Sequence, residues 1–321
     1  MGRWLLRILL VLIIIVLVVP FLIPLPDDGT DPRLLADDGG QFVEIEGLDT
    51  YYVARGPTDG QPVILLHGLG GSTFSWRDNL DALAEAGYFA IAIDRPGFGL
   101  TEKTLDFDVS APNQADFVAA FMDALALDSA VMVGHSAGGG VIAHFALRHP
   151  DRVDGLVFVA GAVGNTGGAP SFVGSLIGFP PFTRWLQIGS SLLLTPERYG
   201  DLLTSAYGDP AFATDEVRAG YTKVLQTSRW YESFAALIRD SGGNTFPIER
   251  LSELDQPALL IWGRADTWVP LTAGERLAEG LPNDELIIYD DIGHLPMEEA
   301  PERFNADLIG WLNELTAQDQ S

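Results

Sequence analysis

The chain has 321 residues, 47% of them hydrophobic, which suits one large α/β domain with an inserted subdomain and is too apolar for disorder. It contains no cysteine, which excludes disulfides, thiolate metal sites and cysteine nucleophiles, and its five histidines show no metal-ligand spacing. A net charge of −25, from 44 acidic against 19 basic residues, repels phosphate backbones and argues against nucleic acid as a partner.

The first segment, "MGRWLLRILLVLIIIVLVVPFLIPLPDDGTD", carries Arg3 and Arg7 and then an uncharged run from Ile8 to Pro26. Trp4 to Leu25 is long enough, at ~1.5 Å per residue, to cross a ~30 Å hydrocarbon core. No small-residue cleavage site follows, so residues 1–26 are expected to form an uncleaved signal anchor, with a cleaved secretory signal as the alternative. Basic residues before the span and Asp27, Asp28 and Asp31 after it predict a main domain on the periplasmic or extracellular side. Residues 27–40, rich in Asp, Gly and Pro, read as a linker.

"QFVEIEG" and "TYYVARG" follow as two short strands joined by a turn at Gly47 to Asp49. "PVILLHG", "YFAIAID", "AVMVGHS", "GLVFVAG", "PALLIWG" and "ELIIYDD" are continuous apolar runs of the kind found in strands buried on both faces. Amphipathic stretches such as Trp76 to Ala86, Ala115 to Leu127 and Val141 to His149 lie between them. This alternation predicts an α/β fold with an eight-stranded, mostly parallel sheet flanked by helices, its first pair antiparallel. Residues 162–250 break the pattern. They hold no clear buried strand, are rich in Gly, Pro and aromatics, and are too many for one structureless loop. They are expected to form a helical cap over a core made of 41–161 and 251–321.

Gly134-His135-Ser136-Ala137-Gly138 matches G-x-S-x-G between a predicted strand and a predicted helix. A serine on so sharp a turn is forced outward, and the first amides of the following helix point at a reacting carbonyl oxygen. Upstream, "LLHGLGGSTFSW" ends a strand in a loop whose Leu69 N–H is a second oxyanion donor beside that of Ala137. Downstream, "LLIWGRADTWVP" ends a strand in Asp266 and "IIYDDIGHLPMEEAP" ends the next in His294, with Asp290 and Asp291 as rival acids. All lie at strand C-terminal ends, where α/β sheets gather ligands. His67 and Asp94 are expected to stabilise loops, His135 to pack or line the pocket, and His144 and His149 to be structural.

The HGxGG loop, "DRPGFGLT", "GHSAGG", "GRAD" and "GHLPMEEAP" stand in the order found in the α/β-hydrolase fold superfamily, which the chain resembles from about Gln41 to Leu315. The resemblance implies Ser136 as nucleophile, His294 as base, Asp266 as the acid that orients it, and Leu69 and Ala137 as oxyanion donors. It implies a serine hydrolase that needs neither metal nor organic cofactor. Ser136 stands where haloalkane dehalogenases and epoxide hydrolases carry aspartate, which argues against both activities. The expected substrate is a small-molecule carboxylic ester of an apolar acyl or aryl group, lipid-derived if the N-terminal segment is an anchor. Carbon–carbon bond hydrolysis of ring-cleavage products is the enzymatic alternative, beside thioesterase and cofactor-free peroxidase chemistry. A non-catalytic binding protein that kept the fold is the alternative of another class.

Overall fold

The computed structural model describes residues 2–26, 29–164 and 171–319; Asp27, Asp28 and residues 165–170 lie outside the described residues. All eight expected strands form: β1 (Gly40–Ile45), β2 (Leu48–Arg55), β3 (Pro62–Leu66), β4 (Phe89–Ile93), β5 (Ala130–His135), β6 (Val153–Val159), β7 (Ala258–Gly263) and β8 (Asp284–Tyr289). They build one sheet in the order β1-β2-β4-β3-β5-β6-β7-β8. β2 runs antiparallel to both β1 and β4, and every other pairing is parallel. The register sets Leu66 of β3 beside Gly134 of β5, and Gly263 of β7 beside Tyr289 of β8. The loops that follow these strands therefore share one edge of the sheet.

The helices described are α1 (Gly2–Leu17), α2 (Pro32–Leu35), α3 (Leu80–Glu85), α4 (Ala111–Ala124), α5 (Ala137–Arg148), α6 (Ser171–Ile177), α7 (Pro180–Leu193), α8 (Pro196–Thr204), α9 (Asp215–Thr222), α10 (Trp230–Asp240), α11 (Leu271–Gly280), α12 (Pro296–Glu299) and α13 (Pro301–Asp319). Alternate side chains of a strand point to opposite faces. Ile64, Leu66 and Met132 pack with α4, α5 and α11 on one face. Val63, Leu65, Val131 and Val133 pack with α3 and α13 on the other. Both faces are covered, which is why these strands read as unbroken apolar runs. Between β6 and β7 the described residues form α6 to α10 and no strand. This helical segment touches the loops after β3 and β8: Tyr199 Oη donates to Gly70 O, and His294 N donates to Ala206 O at 2.8 Å.

The N-terminal segment corrects the sequence expectation. Among the described residues no helix is long and apolar enough to cross a membrane. α1 has 16 residues, about 24 Å of helix against a ~30 Å core. The chain leaves it through a 3₁₀ turn at Val19–Leu22 that contains Pro20, and proline supplies no N–H to continue a helix. The segment then lies along α7, where Trp185 Nε1 donates to Val16 O at 3.0 Å and Arg184 to Pro20 O and Ile23 O. The signal anchor, the outward-facing main domain derived from it and the membrane as a partner are accordingly not supported. The case for lipid-derived esters, which rested on the anchor, goes with them.

Candidate active site

Ser136 sits between β5 and α5 with φ 49° and ψ −120°. Non-glycine residues avoid this region, at a cost of about 1–3 kcal/mol, unless the surroundings over-determine it. Here they do. Ser136 N donates to Val159 O at 2.9 Å, and Ser136 O accepts from Gly139 N and Ala162 N, each at 2.8 Å. The bracketing glycines answer to contact. A Cβ on Gly134 would stand 2.6 Å from Gly138 O, and one on Gly138 would stand 2.5 Å from Leu66 O. The turn closes only where backbone meets backbone.

The loop after β3 lies directly against this serine, since a Cβ on Gly68 would fall 2.9 Å from Ser136 Cβ. Leu69 and Ala137 line one cavity with Ser136. Ala137 opens α5, so its N–H is among those a helix leaves without an intrahelical acceptor.

Asp266 and His294, 28 residues apart, meet at the ends of β7 and β8. His294 Nδ1 donates to Asp266 Oδ2 at 2.7 Å, and both side chains are buried. Asp266 Oδ1 accepts from Trp268 N at 2.8 Å and Val269 N at 2.9 Å, which fixes the carboxylate. The rivals are elsewhere: Asp290 pairs with Arg264 at 2.8 Å with its side chain 77% exposed, and Asp291 is also exposed. With Nδ1 donating to Asp266, Nε2 is the ring atom left for a proton. Among the described residues no hydrogen bond joins the Ser136 hydroxyl to His294. The two open onto the same cavity of about 720 Å³, and the His294 ring lies 4.8 Å from that of His135, the neighbour of Ser136.

The remaining histidines are structural. His135 Nε2 donates to His294 O at 2.9 Å, and burial, with His294 nearby, keeps its ring neutral by lowering its pKa well below the ordinary value. His67 Nδ1 donates to Gly68 O at 2.7 Å while Nε2 accepts from Arg95 N at 3.2 Å; burial holds it neutral too. His144 packs on Phe246, and His149 pairs with Asp116 at 2.9 Å. Asp94 accepts from Thr73 N and Leu100 N, both at 2.6 Å, and burial raises its pKa to about 6.

Two residues around His294 were missed in the sequence. Glu299 accepts from Gly293 N at 3.0 Å and Leu295 N at 3.2 Å, the amides on either side of His294, and from Gly208 N at 2.8 Å. Glu298 is buried and accepts from Tyr207 Oη at 2.7 Å, from Tyr221 Oη and from Arg77 at 2.8 Å. Burial raises both carboxyl pKa values. The available signal was two adjacent acids in an otherwise apolar "HLPMEEAP" segment, since buried carboxylates need partners.

Residues 61–301 match the family model described as the alpha/beta hydrolase fold. The chain is 33% identical over 262 residues to a 2-hydroxy-6-oxononadienedioate/2-hydroxy-6-oxononatrienedioate hydrolase of Paraburkholderia phymatum, covering 79% of this chain and 88% of that one. It is 31% identical over 294 residues to the hydrolase of the same name from Burkholderia vietnamiensis, covering 89% and 93%. Among solved structures it resembles a variant of the meta-cleavage product hydrolase CumD from Pseudomonas fluorescens, with TM-score 0.73, 28% identity and coverage of 88% and 99%. With the sheet order, the strained serine turn and the buried acid–imidazole pair already described, these matches make the chain a member of the α/β-hydrolase fold family, and a hydrolase.

Proposed function

We propose that this chain hydrolyses a carbon–carbon bond in a 2-hydroxy-6-oxo-dienoate, using Ser136, His294 and Asp266. The carrying observation is the pair of relatives above, which bear that activity in their names and align over most of their length. In this reading His294 Nε2 takes the Ser136 proton as Oγ adds to the C6 carbonyl, and Asp266 holds the imidazole in the useful tautomer. The Leu69 and Ala137 amides stabilise the oxyanion, each worth on the order of 3 kcal/mol. With the substrate ketonised, its 2-hydroxy proton having been lost and C5 having gained one, the C5–C6 bond breaks, the electron pair passes through C3 and C4 to the C2 oxygen, which takes the proton from His294, and the acyl group stays on Oγ. Water, deprotonated by His294, then releases it as a carboxylic acid beside a 2-hydroxy-dienoate. One water is consumed and no electron is transferred.

The test is loss of the visible absorbance of a 6-substituted 2-hydroxy-6-oxo-hexa-2,4-dienoate, compared with release of nitrophenol from an aryl ester. Faster turnover of the dienoate supports the proposal. Turnover of the ester alone would sink it. Ester hydrolysis is the second reading, favoured by one observation: among the described residues Arg95 alone of the lysines and arginines lines the cavity, and its terminal nitrogens already donate to Gln114, His67 O and Gly68 O. An ester needs no counter-ion, whereas a dienoate brings at least one carboxylate.

A further inference from the structure

The chemistry of the cavity wall bears on which acyl group the site accepts. Its described lining includes Leu202, Leu203, Trp230, Phe234, Leu237 and Ile238 and contains no Asp, Glu or Lys. Arg95 is the single formal charge there. It is fully buried, its NH1 bonds Gln114 Oε1 at 2.6 Å, and its NH2 bonds His67 O at 2.7 Å and Gly68 O at 3.2 Å. All of these partners are neutral, so the guanidinium leaves one uncompensated positive charge in the wall. Among the described residues no second lysine or arginine lines it; the buried Lys103 stands behind the wall, donating to Phe98 O at 3.2 Å and Gly99 O at 2.8 Å. None of the seven lysines and arginines of residues 162–250 lines the cavity. Five of them pair with acidic side chains, as Lys223 does with Asp37 and Arg239 with Asp240. Arg184 and Arg198 donate to backbone carbonyls. Residues 165–172 carry no charged side chain in the sequence.

We infer that the acyl arm bound in this cavity is uncharged and apolar, an alkyl or aryl group, so that the substrate carries at most one carboxylate. This rests on the hydrolase reading of Ser136 and sets the chain apart from the relatives named for dienedioates, whose substrates bring two. A second carboxylate would be buried without a cation, in the company of leucine and aromatic side chains and of neutral groups such as Ser233 and Asn244, which is strongly unfavourable. The charge of −25 on the chain adds long-range repulsion of a dianion.

The experiment uses the full chain and two matched pairs. One pair is 2-hydroxy-6-oxo-6-phenylhexa-2,4-dienoate against 2-hydroxy-6-oxonona-2,4-dienedioate. The other is p-nitrophenyl butyrate against the p-nitrophenyl monoester of succinate. In whichever pair is turned over, kcat/KM should favour the uncharged arm by at least about 100-fold. Equal or better turnover of the charged partner overturns the inference. Cleavage of butyrate and not succinate, with both dienoates untouched, leaves the inference standing while the carbon–carbon reading falls.

Discussion

The turn at Ser136 and the loop that carries His294 meet at one cavity but are held in opposite ways. Ser136 is fixed by backbone alone: three hydrogen bonds to the neighbouring strand, helix and loop, and glycines whose contacts leave no room for a side chain. His294 is held by side chains and by the helical segment between β6 and β7. Asp266 grips the ring, Glu299 the flanking amides, and Ala206 O the amide of His294 itself. A backbone-fixed element yields only if the sheet yields. A loop fixed by carboxylates and by a covering segment answers to substitutions many residues away.

That contrast can be broken or sharpened by experiment. Ser136→Ala should lower kcat by at least ~10⁴-fold and abolish labelling by an organophosphate probe, with an unchanged thermal melt. A variant that still labels at the normal rate removes Ser136 from the mechanism. Asp266→Asn should lower kcat by about 10⁴-fold by leaving the imidazole in the wrong tautomer, whereas Asp290→Asn should leave it within two-fold. The reverse pattern would move the acid to Asp290. Glu299→Gln keeps one acceptor oxygen for the amides around His294 but loosens the loop, so kcat should drop by on the order of 100-fold with KM little changed. If KM rises instead, Glu299 shapes the pocket and does not position the base.

The smallest effect concerns pH. Burial keeps His67 and His135 neutral, well below the ordinary 6.5. The unfolded chain therefore binds more protons below about 6.5, and stability falls with pH at up to about 1.4 kcal/mol per unit for each ring. Asp94 opposes this: its pKa rises on folding from 3.8 to about 6, so below 6 the folded state binds the extra proton. The loss should be clearest between pH 6.5 and 6, and His135→Asn should flatten it. A melting temperature constant across that window, in the parent chain, contradicts the account.

The sequence determined the strands, the sheet class and the elbow, because each follows from a local rule. Apolar runs such as "PVILLHG" reflect burial on both faces, and Gly134 reflects its contact with Gly138 O nearby in the chain, whereas Gly138 answers to Leu66 O at the end of β3. Asp266 was legible by its place at the end of β7 and ranked over Asp290 by the family resemblance; the fold adds that it buries the one and exposes the other. Hydrophobicity alone misjudged the N-terminal helix, since it stops at Leu17 before the turn that holds Pro20, and α7 supplies donors for Val16 O within it and Ile23 O beyond it. Glu298, Glu299 and the neutral surroundings of Arg95 were decided only in three dimensions. Whether a buried charge is paired depends on groups as far apart in the chain as Arg77 and Glu298, and no pattern along the chain carries that distance.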